Sequence, residues 1–285
     1  MDLLKMLKTP KIWPARLHHL SICSEDPERM VDWYKKALVM EDVILDAGTT
    51  WLKGQQRNII VTEGNRGKVD HVAFHFEDKK HMESYREQLD SVNCKFEIVE
   101  PLLMENEAFS IRDPDDNIFH FGVSSLNDSG LSATPARLQH VVFRSQDLPR
   151  MVEFHTNILG FKISDIVKDE TGDVTANFMR SDPEHHSLGV FRADETRLDH
   201  FCSESSCWND IRDWADHFAS LGIGITWGAG RHGAGNNLFI FVSDPDGNNV
   251  EISAEIEHWK YEDPPREWAH EERTLNLWGA AWMRS

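Results

Sequence analysis

The chain has 285 residues, 40% hydrophobic and 27% charged, the balance of a globular protein long enough for two domains with separate cores. Acidic residues outnumber basic ones 48 to 30, a formal charge of −18, which argues against the basic surface that nucleic acid requires. No apolar run approaches the roughly 20 residues that cross a bilayer, so no membrane partner is expected.

Residues 1–13 read as an N-terminal tail in which Lys5, Lys8 and Lys11 interrupt the apolar side chains. No small-residue cleavage site is present after them, so a secretory signal is not expected. The four cysteines, Cys23, Cys94, Cys202 and Cys207, lack CxxC spacing and read as reduced thiols of a cytoplasmic protein, mostly core filler.

From residue 14 onward the chain repeats. Arg16-Leu17-His18-His19-Leu20 aligns with Arg137-Leu138-Gln139-His140-Val141, and the register continues without a gap. Ser24 meets Ser145, Asp26 meets Asp147, and Arg29-Met30-Val31 meets Arg150-Met151-Val152. The two halves, 14–127 and 137–258, are therefore a duplicated domain joined by a linker at 128–136. Each half divides again. Val69-Asp70-His71-Val72 resembles Leu198-Asp199-His200-Phe201, and Asp113-Pro114-Asp115-Asp116-Asn117 matches Asp244-Pro245-Asp246-Gly247-Asn248. Four modules thus begin near residues 16, 69, 137 and 198.

Within a module the pattern is constant. A strand comes first, with Leu138, His140 and Val142 alternating on one face. A helix comes next over Asp147 to Leu159, where Met151, Phe154, Ile158 and Leu159 form an apolar stripe and Gly160 suits the C-terminal end. Strands return at Leu238 to Val242 and Asn249 to Ser253, separated by the Asp-Pro-Asp-Gly turn. The expected fold is α+β: four βαβββ modules paired into two open-barrel domains. Residues 259–285 hold Trp259, Trp268, Trp278 and Trp282, so this tail should pack on the second domain. Pro264-Pro265 and the charged run after it suggest an extended crossing and then a short helix.

His140 and His200 open the strands of modules three and four, and Glu251 lies in a late strand of module four. A pseudo-twofold pairing of modules brings the two histidines face to face with the glutamate beside them. Two imidazoles and one carboxylate form the facial set that holds non-haem Fe(II) and leaves positions open. Any one of these histidines alone would read as a satisfied structural residue, but a glutamate buried in Val-Glu-Ile-Ser needs a counter-charge or a metal.

The run Gly228-Ala229-Gly230-Arg231-His232-Gly233-Ala234-Gly235-Asn236-Asn237, with Asp244-Pro245-Asp246-Gly247 and Glu251 after it, resembles the signature of type I extradiol ring-cleaving dioxygenases. That family lies in the vicinal oxygen chelate superfamily and includes the catechol, biphenyl-2,3-diol and homoprotocatechuate dioxygenases. The resemblance covers about residues 14 to 258. It implies that His140, His200 and Glu251 hold Fe(II), or Mn(II) in the same ligands. It makes His186 the acid–base histidine and His232 a hydrogen-bonding partner of the substrate, with Asn237 and Phe241 in the substrate pocket. The partners implied are a small aromatic diol and O2, and the assembly a homo-oligomer. One departure stands out. The family usually places a tyrosine ten residues before the glutamate, and here that position is Phe241, which lacks the hydroxyl. Tyr261 replaces it only if the tail folds back. An isomerase or lyase of the same superfamily, or a non-catalytic small-molecule binder, are the alternatives. In the first half, His19, His71 and His120 take the places of the ligands. Three histidines could bind zinc, but in the family this half is a metal-free relic, and histidines satisfied by hydrogen bonds or packing are expected.

Overall fold

The computed structural model describes residues 11–126 and 135–283. Most of the expected tail at 1–13 and of the linker at 128–136 therefore lies outside the described residues. The first half runs β1 (Arg16–Ser24), α1 (Pro27–Ala37), β2 (Glu41–Asp46), β3 (Thr49–Gly54), β4 (Arg57–Glu63), β5 (Val69–Phe76), α2 (Lys79–Ser91), β6 (Glu97–Val99), β7 (Ala108–Arg112) and β8 (Ile118–Val123). The second runs β9 (Arg137–Ser145), α3 (Leu148–Glu153), β10 (Lys162–Lys168), β11 (Val174–Arg180), β12 (Leu188–Arg192), β13 (Arg197–Ser205), α4 (Trp208–Ser220), β14 (Trp227–Arg231), β15 (Leu238–Ser243) and β16 (Asn249–Ala254). Each half is two βαβββ units, and the second continues into β17 (Arg266–Ala269) and α5 (Glu272–Leu275).

The sheet order explains where the site falls. Strands lie β2-β3-β4-β1-β5-β8-β7-β6 in one sheet and β14-β15-β16-β13-β9-β12-β11-β10-β17 in the other. In each, the first strands of the two modules, β1 with β5 and β9 with β13, pair antiparallel at the centre. Each last strand pairs parallel to its own first strand, as β16 does to β13. Three neighbouring strands, β9, β13 and β16, therefore carry their side chains to one place. One continuous apolar core, including Leu20, Phe74, Phe121, Val141, Phe201, Trp214 and Ile252, spans both halves.

The junction between halves is itself duplicated. Asp26 and Asp147 each accept a bond from the backbone three residues on, capping α1 and α3. From α1, Tyr34 donates to Asp244 Oδ2 at 2.8 Å. At the corresponding place after α3, His155 Nε2 lies 3.4 Å from Asp113 Oδ2. Each half thus anchors the Asp-Pro-Asp turn of the other.

The helix expected over Asp147 to Leu159 is not continuous: α3 ends at Glu153 and a π-helical turn covers Phe154–Ile158. A π turn inserts one residue per turn and rotates the residues beyond it about the helix axis. His155 becomes fully buried toward Asp113, while Phe154 and Ile158, expected in the apolar stripe, are only partly buried. Gly160 has φ 86° and ends the segment as expected. The tail also differs in part. β17 adds parallel to the edge strand β10 and leads into α5, but Trp278 is 54% exposed, edge-on to Trp208 at 5.8 Å. Of the cysteines only Cys202 is buried; the other three are partly exposed, so core filler describes one of four.

Candidate metal centre and its cavity

The ladder brings the three expected ligands together. His140 and Glu251 both stand opposite Cys202 of β13, on either side of it, and His200 lies two residues earlier on that strand. His140 Nε2 is 3.3 Å from His200 Nε2. Glu251 Oε2 is 3.2 Å from His140 Nε2 and 3.4 Å from His200 Nε2. Ligand atoms about 2.1 Å from one ion and mutually at right angles stand about 3 Å apart, so the separations suit a facial triad.

The surrounding hydrogen bonds set the tautomers. His140 Nδ1 donates to Gln139 Oε1 at 2.5 Å, and His200 Nδ1 donates to Asp199 Oδ1 at 2.6 Å. Arg144 steadies Asp199 through a 2.8 Å bond to its other oxygen. With Nδ1 protonated in both neutral rings, each Nε2 presents a lone pair. Burial is the largest influence on His140 and lowers its pKa, so the ring is neutral. The imidazoles of His140 and His232 beside the Glu251 carboxyl hold it well below its ordinary range, against the upward push of burial. Two lone pairs and an ionised oxygen packed this closely repel one another unless a cation lies between them. The donor set therefore fits a divalent metal.

Cys202 complicates the choice of ligands, because its Sγ, a nitrogen of His140 and an oxygen of Glu251 also lie within 4.8 Å of one another. We favour His200 as the third ligand. Burial pushes the Cys202 thiol well up, whereas binding needs the thiolate, and Sγ already meets Ser253 Oγ at 3.0 Å.

Above the triad lies a narrow cavity. All the expected pocket residues line it: His186, His232, Asn237 and Phe241. The His186 ring is 4.2 Å from that of His140. Burial, then the neighbouring imidazoles of His140 and His185, hold its pKa well below the ordinary value. His232 stacks on Phe239 at 3.9 Å, donates from Nδ1 to the Leu275 carbonyl at 2.5 Å, and places Nε2 3.4 Å from Glu251 Oε1. Asn237 Nδ2 donates to that same oxygen at 3.3 Å, while Asn237 Oδ1 is buried without a partner. Phe241 is 1% exposed, its ring 5.3 Å from His200 and 5.1 Å from Trp227.

Tyr261 does not supply the missing hydroxyl. The tail folds back, but it carries Tyr261 to Trp13, with ring centroids 5.5 Å apart, and brings Thr274 and Leu275 over the cavity instead. The glycines of the signature permit this. A Cβ on Gly233 would lie 2.6 Å from the Arg273 carbonyl, and one on Gly235, whose φ is +87°, would meet Asn237 Oδ1 at 2.9 Å.

Sequence reasoning overlooked a buried relay behind His186. His186 Nδ1 is 2.9 Å from His185 Nδ1, His185 Nε2 is 2.8 Å from Asp165 Oδ2, and Arg266 holds both oxygens of Asp165 at 2.8 and 2.9 Å. His185 was visible beside His186, but nothing local ties it to Asp165 or to Arg266, 101 residues from Asp165.

Residues 137–252 match the Glyoxalase/Bleomycin resistance protein/Dioxygenase superfamily, the stretch that carries the triad. This half belongs to that superfamily. The chain is 24% identical over 265 residues to the manganese-dependent 2,3-dihydroxybiphenyl 1,2-dioxygenase of Geobacillus genomosp. 3, covering 84% of each chain. Its fold is similar to that of homoprotocatechuate 2,3-dioxygenase from Brevibacterium fuscum in the anaerobic complex with 3,4-dihydroxyphenylacetate. That likeness has a TM-score of 0.81 at 20% identity, over 97% of this chain and 93% of the other. It is equally similar to the Mn(II)-bound glyoxalase of Novosphingobium aromaticivorans, with a TM-score of 0.81 at 23% identity over 93% and 90% of the two chains. The four-module, two-sheet architecture is thus that of the vicinal oxygen chelate enzymes.

Proposed function

We propose that this protein is an extradiol dioxygenase that opens the ring of a catechol-type substrate with O2 at a divalent metal held by His140, His200 and Glu251. The observation that carries the reading is the donor set of two imidazoles and a carboxylate, whose mutual spacing suits a facial triad open toward an aromatic-lined cavity. The metal is Fe(II), with Mn(II) as the alternative that the same ligands accept. When bound, it supplies the redox chemistry that couples the diol to O2.

The protein's own groups then hold the substrate and move its protons. A diol hydroxyl can donate to Asn237 Oδ1, the buried acceptor that lacks a partner. His186 is neutral and next to the ligands, as an acceptor of the diol's proton must be, and returns that proton during ring opening. His232, fixed by the Leu275 carbonyl, offers a hydrogen-bonding nitrogen to the substrate. Phe191, Trp227 and Phe241 line the ring's space and, with the tail above them, exclude water. Cytoplasmic location and a homo-oligomeric assembly accompany this reading.

A second reading, an isomerase or lyase of the same superfamily, is favoured by Phe241, which brings no hydroxyl to the cavity. Oxygen uptake with a panel of catechols, measured beside metal content, separates the two. Diol-dependent oxygen consumption in proportion to bound metal is expected; full metal occupancy without any oxygen uptake would leave the second reading standing.

A further inference from the structure

The chain of contacts behind His186 is held from several sides. Asp165, His185 and His186 are all buried. The His185 N–H donates to the Glu257 carbonyl at 2.8 Å, and Ser164 Oγ donates to the His185 carbonyl. Gln139 Nε2 donates to the His186 carbonyl at 2.7 Å. The two imidazoles meet edge-on, with their Nδ1 atoms 2.9 Å apart. The tail makes the place for Asp165, because β17 pairs with β10 and sets Arg266 directly beside it. At the register of the repeat, the first half has Ile44 there instead, on an edge strand and 77% exposed. The buried carboxylate is therefore a feature of the second half, where the triad lies.

That carboxylate dictates where each proton of the chain lies. Asp165 accepts both bonds of the Arg266 fork. Against the upward push of burial, His185 and Arg266 hold its carboxyl below the ordinary range. His185 Nε2 is 2.8 Å from Asp165 Oδ2, so Nε2 carries the proton; a bare nitrogen there would set lone pair against lone pair. Burial is the largest influence on His185 and lowers its pKa, so the ring is neutral and its Nδ1 is bare. One arrangement is then left for the contact between the rings: His186 Nδ1 donates and His185 Nδ1 accepts. A neutral His186 that is protonated on Nδ1 has no proton on Nε2. With Nδ1 turned to His185, Nε2 is the nitrogen left to the cavity that His186 lines.

We propose that Asp165 and His185 are positioning residues that fix the tautomer and the aim of His186, holding a bare Nε2 ready to take the proton of a diol hydroxyl. The inference rests on the dioxygenase reading for the diol itself. In the step, the diol O–H bond breaks and an N–H bond forms at His186 Nε2. The ring becomes an imidazolium while its Nδ1 proton stays bonded to His185, and Nε2 gives its proton back on ring opening. Without Asp165, His185 is free to carry its proton on Nδ1 and donate to His186. The proton of His186 then sits on Nε2, a donor where an acceptor is needed. Where a catalytic histidine depends on one tautomer, loss of the orienting carboxylate lowers kcat by up to about 10⁴.

The test begins with the wild-type protein, its histidines labelled with an NMR-active nitrogen isotope and Zn(II) supplied as a diamagnetic occupant of the metal site. The His186 signals, identified by their loss in His186→Asn, should show Nδ1 protonated and Nε2 bare. A proton on Nε2 overturns the proposal, whatever reaction the site runs. Kinetics on the Fe(II)-loaded enzyme follow. His185→Phe keeps a ring but removes the acceptor. It should lower kcat for catechol about a hundredfold, while anaerobic catechol binding and metal content stay within about twofold of wild type. Asp165→Asn should act in the same direction, and takes its place if His185→Phe does not fold. His185→Asn, whose amide oxygen falls near the position of Nδ1 and still accepts, should recover at least about a tenth of the wild-type kcat. Equal losses in His185→Phe and His185→Asn, or a loss that lies in binding or metal content instead of kcat, overturn the proposal. If no diol consumes oxygen at full metal occupancy, the dioxygenase reading fails, and the nitrogen spectra still decide the tautomer.

Discussion

The two halves carry the same trio of positions on the same strands and do different things with them. In the second half, the outer nitrogens of His140 and His200 donate to oxygens of Gln139 and Asp199, so both inner nitrogens are bare and face a carboxylate. In the first half, His19 Nε2 and His71 Nε2 are 3.0 Å apart, and His71 Nδ1 donates to Asp70 at 2.8 Å. The outer nitrogen of His19, however, meets His18 Nδ1 at 2.7 Å, and His18 continues to Ser124 Oγ at 2.8 Å. Ser124, His18, His19, His71 and Asp70 can therefore share protons along one line, each nitrogen donating or accepting, with no cation needed. His120, where the other half has Glu251, stacks on His71 at 4.3 Å and adds no charge. With histidine in place of glutamine at position 18 and in place of glutamate at 120, the first half closes this trio by hydrogen bonds.

The largest effect that would break this comparison is at the carboxylate. Glu251→Ala should abolish metal binding and reduce diol-dependent oxygen uptake to background; elemental analysis of anaerobically purified protein measures it, and full occupancy would refute the ligand assignment. Next comes the acid–base group. His186→Asn should reduce kcat by about 10²–10⁴ at unchanged metal content, read from steady-state oxygen consumption. Phe241→Tyr sharpens the comparison with relatives that keep the hydroxyl. A charge-assisted bond made only in the transition state contributes about 1.5–3 kcal/mol, a roughly ten- to hundredfold gain. Overpacking offsets part of that in so closed a site. A fall in turnover on the best substrate would mean that the bare ring serves a specialised pocket.

Acid should weaken both halves, since burial lowers His140, His185 and His186 as it does the histidines of the first half. Burial, then the charges of nearby groups, lowers His18 to about 3, His75 to about 4 and His120 to about 3. All three lie below the ordinary value of 6.5, so the unfolded chain takes up their protons first and stability falls as pH drops from about 6.5 toward 4. Each such histidine contributes about 1.4 kcal/mol per pH unit across that window. Urea titrations at pH 7 and pH 5 should show the loss, and His120→Gln should reduce it. The smallest effect is expected from replacing His19 and His120 together with Gln: metal content and turnover should stay near the wild-type level, and loss of a stoichiometric zinc would show that the first half binds metal.

Much of this was legible in one dimension. The repeat and the βαβββ order lay in local patterns, because a strand's alternation and a turn's Asp-Pro-Asp spacing act within a few residues; the pocket residues were what the family resemblance implied, and they line one cavity with His140, His200 and Glu251. The π-helical turn at Phe154–Ile158 was not legible; it sets His155 against Asp113 of the other half, a contact that no local pattern specifies. Nor were the exposure of Trp278 and the distance of Tyr261 from the site, which depend on the path of the tail across the sheet edge.

The sequence alone determined that the chain is a duplicated α+β protein and which strands hold two histidines and a glutamate, because duplication and alternation are written in residue order. Only the tertiary structure decided which half has bare nitrogens facing a carboxylate, how His185, Asp165 and Arg266 line up behind His186, and that Thr274 and Leu275 of the tail cover the cavity beside the triad. Those properties depend on hydrogen-bond partners and charges brought together from more than 100 residues apart, and local sequence pattern does not encode which of them will meet.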